Sequence, residues 1–340
     1  MSFSSIIGHE RQIDILKRAL ANGSVAHAYL FSGEEGVGKR MTALAVGAAL
    51  NCAEPGPDGG CGACPSCRKA AAGSHPDITV LMPESEDEQR LALLSKKDAE
   101  KASDRIKIEQ VRVAQERLSL KAYEGSRKVL IVDRADAMTE EAMNAFLKTL
   151  EEPPGESLIV LITARPQALL ATIRSRCQEV KFQPLPRRRI AAKLRDQRGL
   201  DEADAWFLAA LCQGSIGRAL EMDAAAERQE RTELAAVLDR LAGMSDDEVL
   251  TLADGVSKDR EGFLRLVDIS IERLRDQLVW LLTGNEQLLV FPPGAAGRTA
   301  GPAPRLLQDL ELFTSSRRML QGTVSAPLVA EHLFLTLARG

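Results

Sequence analysis

The sequence predicts an α/β fold: a parallel sheet with a phosphate-binding loop over residues 1–183, then all-helical parts over 184–242 and 243–340. Three observations carry this. Short apolar runs at 28–32, 78–81, 127–133, 158–163 and 179–182 alternate with helical patterns, the arrangement that builds a parallel sheet with crossover helices. Between the first run and a helix over 41–50 lies Gly33-Glu-Glu-Gly-Val-Gly-Lys39-Arg40, which fits the glycine and lysine positions of G-x-x-x-x-G-K-[ST]. From about residue 224 the patterning is helical almost throughout, as in 234–238 and 263–282.

The chain opens on an amphipathic stretch over 6–20, with Ile13, Leu16 and Leu20 at helical spacing, closed by Asn22-Gly23. His27 reads as a structural residue at the edge of the first strand. In the loop that follows, Gly33, Gly36 and Gly38 let the backbone curl so that N–H groups face a phosphate, and Lys39 reaches the outer phosphates. Position 40 departs from the pattern. Arg40 stands where a hydroxyl holds Mg²⁺, and a guanidinium only donates. Thr42, two residues on, faces another side of the helix and is a poor substitute. Whether ATP or ADP occupies the loop stays open at this level.

Cys52, Cys61, Cys64 and Cys67 follow with spacing C-x8-C-x2-C-x2-C among glycines and prolines that supply tight turns. Four thiolates complete a tetrahedral Zn²⁺ site and leave no position for water, so the expected centre at 52–67 is structural zinc. A ferredoxin-type iron–sulfur run would need a fourth cysteine three residues after the third, and Arg68-Lys-Ala-Ala stands there. His75 reads as a loop residue rather than a ligand. Residues 84–105 are charge-rich and weakly patterned, and read as a solvated, mobile insertion.

The strand run at 127–133 ends in Asp133, the position of a carboxylate that orients Mg²⁺ in P-loop enzymes. Arg134 follows it. Thr139 caps a helix whose stripe is Met143, Phe146, Leu147 and Leu150, stopped by Pro153-Pro154-Gly155. Thr163 closes the next strand, where either a γ-phosphate sensor or a helix-entry residue would sit. Ser175-Arg176-Cys177 precedes the last strand. Beyond it, Gln183-Pro-Leu-Pro186 is a linker, Arg187-Arg-Arg189 begins a helical region, and Trp206 and Trp280 read as core residues. Residues 291–304 form a loop rich in glycine and proline.

Composition narrows the function classes. The chain has 340 residues, 45% hydrophobic and 27% charged, which suits two or three globular domains. Aromatics make up 4% and the net charge is −4, so neither base-stacking platforms nor a strongly basic DNA-binding domain is indicated. The start, MSFSSIIGHERQ, lacks an apolar signal region, and no run approaches the ~20 apolar residues that span a bilayer. The expectation is a cytoplasmic protein with no membrane association. Cysteines crowded into a short segment then favour metal over disulfides.

The run from Gly125 to Cys177, with Asn144-Ala-Phe-Leu-Lys-Thr-Leu-Glu-Glu-Pro-Pro154 and Ser-Arg-Cys at its heart, resembles the bacterial DNA polymerase III clamp-loader family of AAA+ proteins. The P-loop and four-cysteine module add to the likeness. The resemblance implies an AAA+ domain with a zinc module (1–183), a helical lid (184–242) and a helical collar for hetero-oligomerisation (243–340). Within the family, the γ/τ motor subunits are expected to keep a hydroxyl after the P-loop lysine and a glutamate after the strand-end aspartate. Arg40 and Arg134 stand there instead, so the likeness points to the delta-prime branch, without independent ATPase activity. It implies that Arg176 acts in trans on a neighbour's ATP, and that γ/τ and δ subunits, the sliding clamp and primed DNA are partners. It also places Arg218, in Gly214-Ser-Ile-Gly-Arg218-Ala-Leu220, where a lid arginine contacts nucleotide or only holds domain geometry. Two other readings are an active γ/τ-type ATPase using Lys39 and Asp133, and a zinc-dependent nucleic-acid-binding module.

Overall fold

The computed structural model describes residues 2–87, 92, 102–241, 243–290 and 302–339. Most of the 84–105 insertion and of the 291–304 loop lies outside the described residues. The chain divides into two compact units, residues 1–194 with 212–220, and 195–211 with 221–340.

The first unit is built on five parallel strands in the order β2-β3-β4-β1-β5: β1 (Ala28–Ser32), β2 (Ile78–Leu81), β3 (Lys128–Val132), β4 (Ser157–Thr163) and β5 (Gln178–Lys181). The α/β class with a parallel sheet expected from the sequence is the one observed. Strands β1 and β4 are buried along their whole length, which explains why they read as unbroken apolar runs. One face packs against α1 (Glu10–Ala21) and α2 (Lys39–Leu50) through Leu16, Phe31, Val46 and Val160. The other packs against α4 (Ile108–Ser119) and α5 (Glu140–Glu151) through Leu30, Val111, Phe146 and Leu161. Helix α3 (Pro65–Ala71) belongs to the four-cysteine segment between α2 and β2. The short α6 (Ala171–Arg174) precedes β5, and α7 (Arg187–Arg198) and α8 (Glu202–Leu211) come after it in the chain.

Register fixes where chemistry can occur. Ser32 pairs with Thr163 and Leu81 with Val132, so the C-terminal ends of β1, β3 and β4 share one edge of the sheet. Loops leaving that edge carry the P-loop, Asp133 and Thr163, the crevice in which open α/β sheets hold ligands. Thr139 caps α5 by accepting from the N–H of Ala142 at 3.3 Å, with Glu140 and Glu141 in the first turn, as the sequence predicts.

The second unit is helical. Its larger core joins α11 (Asp246–Ser257), α12 (Arg260–Thr283), α13 (Ala303–Gln321) and α14 (Ala326–Arg339) through Val249, Phe263, Phe313 and Phe334. A partly buried cluster of charges, with Arg231 at its buried centre, lies on α10 (Ala224–Leu241). Arg231 donates to Glu272 at 2.7 Å, and Arg265 bridges Glu227 and Glu230. Trp280 departs from expectation. It lies on the last turn of α12 and is 38% exposed, beside the exposed Leu281 and Leu282. The reading as a core residue holds only in part, since more than a third of the side chain is accessible at the last turn of the helix.

Candidate functional site

The P-loop forms between β1 and α2, as the motif requires. Gly33, Gly36 and Gly38 all have positive φ, +144°, +72° and +107°. A side chain at Gly33 would also collide with the carbonyl of Phe182, and one at Gly36 with the hydroxyl of Ser215. These two glycines are needed for space as well as conformation. Lys39 is buried, and its ammonium donates to the carbonyls of Gly33 (2.5 Å) and Glu34 (2.6 Å). Burial lowers the pKa of this ammonium below the usual lysine value, with the nearby Asp133 opposing.

Arg40 turns toward β3. Its Nη1 stands 3.6 Å from Asp133 Oδ2, so a fixed monovalent cation faces the strand-end carboxylate. Burial raises the Asp133 carboxyl above its usual range, with Arg40 only partly opposing. Thr42 is fully buried and donates to the Gly38 carbonyl at 2.9 Å, so it does not replace the missing hydroxyl. Arg134 sits in the left-handed region (φ +52°), donates its N–H to Asp133 and pairs through its guanidinium with Glu86. A glutamate's role in aligning water is unavailable to this cationic side chain, which is engaged elsewhere.

Thr163 is buried on the same edge. Its hydroxyl donates to Asp136 Oδ1 at 2.7 Å, and Arg165 grips the other oxygen of that carboxylate at 2.8 Å. Burial alone would raise Asp136, but the Thr163 and Arg165 hydrogen bonds outweigh it and hold the carboxyl below its usual range. Arg218 is exposed on α9 (Ile216–Glu221). Its segment touches the P-loop, because Gly217 N–H donates to the Gly36 carbonyl at 2.9 Å.

Sequence reasoning missed three contributors here. His9 is buried and its Nε2–H donates to the Val37 carbonyl at 2.8 Å, bracing the P-loop from the start of α1. Burial lowers its pKa and favours the neutral ring. Asp136 organises Thr163. Ser215 fills the space above Gly36. Asp136 alone had a signal, as the second acid in Asp133-Arg-Ala-Asp136; the others are set by long-range contact.

Arg176 belongs to a different place. It follows α6, donates through Nη1 to the Thr172 carbonyl (2.9 Å) and through Nη2 to Glu151 Oε1 (2.6 Å). Cys177 beside it is half-buried, and desolvation pushes its thiol up to about 12.

The four cysteines converge as the spacing predicts. Their sulfurs all lie within 4.8 Å of one another, and Cys52 Sγ is 3.9 Å from Cys64 Sγ. Tetrahedral Zn–S bonds of about 2.3 Å place sulfurs about 3.8 Å apart. The backbone N–H groups of Cys61, Cys64 and Cys67 donate to Cys52, Cys61 and Cys64 sulfurs at 3.2–3.4 Å, a shell suited to thiolates. The group is arranged to bind a metal ion. His75 is no ligand in it, nor is it a mere loop residue. It is buried, pairs with Ser66 of α3 at 2.9 Å and accepts from the N–H of Asp77, tying the module to β2.

A family model described as DNA polymerase III, delta subunit, matches residues 8–186, more than half of the chain. The chain belongs to this family. Among its curated relatives is the DNA polymerase III subunit delta' of Bacillus subtilis, 36% identical over 55% of this chain and 51% of the relative. The delta' subunit of Pseudomonas aeruginosa is 42% identical over 47% of this chain and 44% of the relative. The tau subunit of Escherichia coli is 29% identical over 75% of this chain and 38% of its own length. The family member spans about half the length of these delta' relatives. The matched span covers the P-loop, Asp133, Thr163, Arg176 and the four cysteines.

Proposed function

We propose that this chain is a delta-prime subunit of a DNA polymerase III clamp loader, largely non-hydrolysing, that completes the ATP site of a neighbouring motor subunit. The observation that carries the reading is the Arg40–Asp133 pair. Phosphoryl transfer in P-loop enzymes needs a divalent ion held by a loop hydroxyl and a strand-end carboxylate. Here the hydroxyl is missing and the carboxylate faces a guanidinium at 3.6 Å. Arg134 in place of a water-aligning glutamate removes a second element of the same chemistry.

Arg176 is the group left to act. Negative charge spreads over the γ-phosphate oxygens during transfer, and a guanidinium delivered from outside stabilises it. Its half-exposed position after α6, apart from the chain's own P-loop, suits delivery to another subunit. In this reading γ/τ and δ subunits are the partners, the helices of 243–340 supply the collar, and 184–242 the lid. The sliding clamp and primed DNA are met through the complex. Zinc occupies Cys52, Cys61, Cys64 and Cys67 as a closed structural site.

Purified chain incubated with Mg·ATP tests the non-hydrolysing part. No turnover above a Lys39→Ala control is expected. Turnover lost in that control would overturn the reading in favour of an active ATPase, which the intact loop glycines and Lys39 otherwise suit.

A further inference from the structure

Arg176 is held, not free. Its guanidinium spans two acceptors of its own subunit. One is the Thr172 carbonyl in the four-residue α6; the other is the carboxylate of Glu151, the last residue of α5. The α5 C-terminus adds its own negative pole to that carboxylate. The neutral Thr172 carbonyl holds the Nη1 side of the guanidinium, whereas Glu151 neutralises the charge that a phosphate would need. Arg176 and Glu151 side chains are 34% and 49% exposed, so water and a competing anion can reach the pair.

We propose that Glu151 is a positioning residue that parks Arg176 on its own subunit until a neighbour's nucleoside triphosphate competes for it. This rests on the trans-acting reading of Arg176. A triphosphate carries several negative charges against the single charge of Glu151, so the bound neighbour wins the guanidinium. An empty or diphosphate-loaded neighbour competes less well and leaves the arginine parked. A half-exposed pair is weak enough to be exchanged on this basis. The contact thereby makes engagement sensitive to the neighbour's nucleotide state, through differential affinity of one side chain for two anions.

The test uses the reconstituted clamp-loader complex with clamp and primed DNA, comparing wild type, Glu151→Gln, Arg176→Ala and the double variant. Glutamine keeps the size of the side chain and a hydrogen-bond acceptor but removes the charge. Glu151→Gln is expected to lower the KM for ATP by about two- to five-fold, the range of an exposed ion pair, with kcat nearly unchanged. The double variant should match Arg176→Ala alone. An unchanged KM in Glu151→Gln, or a shift that persists in the Arg176→Ala background, overturns the parking role. A fall in kcat as deep as that of Arg176→Ala also overturns it, because Glu151 would then be needed in the engaged state. Failure of the trans-acting reading itself is distinguishable: Arg176→Ala would then behave as wild type.

Discussion

At the scale of single residues, the P-loop and the Asp77 knot make the sharpest demands. Gly36 combines φ of +72° with a hydroxyl of Ser215 in the space a side chain would fill, and its carbonyl accepts from Gly217. Gly36→Ala should destabilise the first unit by about 2–3 kcal/mol, combining left-handed strain with the collision. A urea-unfolding midpoint unchanged from wild type would contradict this. Asp77 is fully buried, receives the Lys128 ammonium at 2.8 Å and accepts from the N–H groups of Tyr123, Glu124 and Gly125. Burial alone would raise its carboxyl, but Lys128 and the three N–H donors outweigh it and hold the pKa far below the usual range. With the folded value below the unfolded one, Asp77 contributes stability that is fully present above about pH 4 and is lost as pH falls toward the folded value. Asp77→Asn should therefore cost about 3 kcal/mol at pH 7 and flatten the acid limb of the stability curve below pH ~4. An acid limb of unchanged slope in that variant would rule out Asp77 as its source. Gly36 was legible from the loop motif, but the Asp77 knot was not. Asp77 meets residues 46–51 positions away, a separation that no periodicity encodes.

Elements were more legible. Strands β1, β3 and β4 were visible because burial on both faces demands unbroken apolar runs, and α5 because its cap and stripe agree. The four-cysteine segment was visible through spacing, but its anchoring was not. Phe3 N–H donates to Asp58 O, Lys17 pairs with Asp58 at 2.5 Å, and His75 joins Ser66. These contacts fasten both ends of the module to the sheet unit, so metal loss should loosen it locally rather than unfold the chain. Chelator-treated protein is expected to exchange the Cys61, Cys64 and Cys67 amides at least about tenfold faster, with β1 and β4 amides unchanged. Stoichiometric zinc should be released. Protein purified without damage that carries little zinc, or whose three amides exchange alike with and without chelator, would contradict the metal centre.

For the whole molecule, the proposed role separates a lost chemistry at the chain's own P-loop from a retained one at Arg176. In the proposed reading Arg40 and Arg134 mark the loss in the sequence itself, since each stands where P-loop chemistry uses a different residue type. The structure adds what became of them: Arg40 faces Asp133, and Arg134 is drawn off to Glu86. Arg176 was legible through Ser175-Arg176-Cys177, yet its partner was not, because Glu151 stands 25 residues earlier on another helix. The most direct test of the central claim is steady-state ATP hydrolysis by the motor subunits with δ, clamp and primed DNA, supplemented with this chain as wild type or Arg176→Ala. Wild type is expected to raise turnover and the variant to lose at least about tenfold of that gain, well within what trans arginines supply elsewhere. Equal stimulation by both proteins would contradict it and leave Arg176 a structural residue.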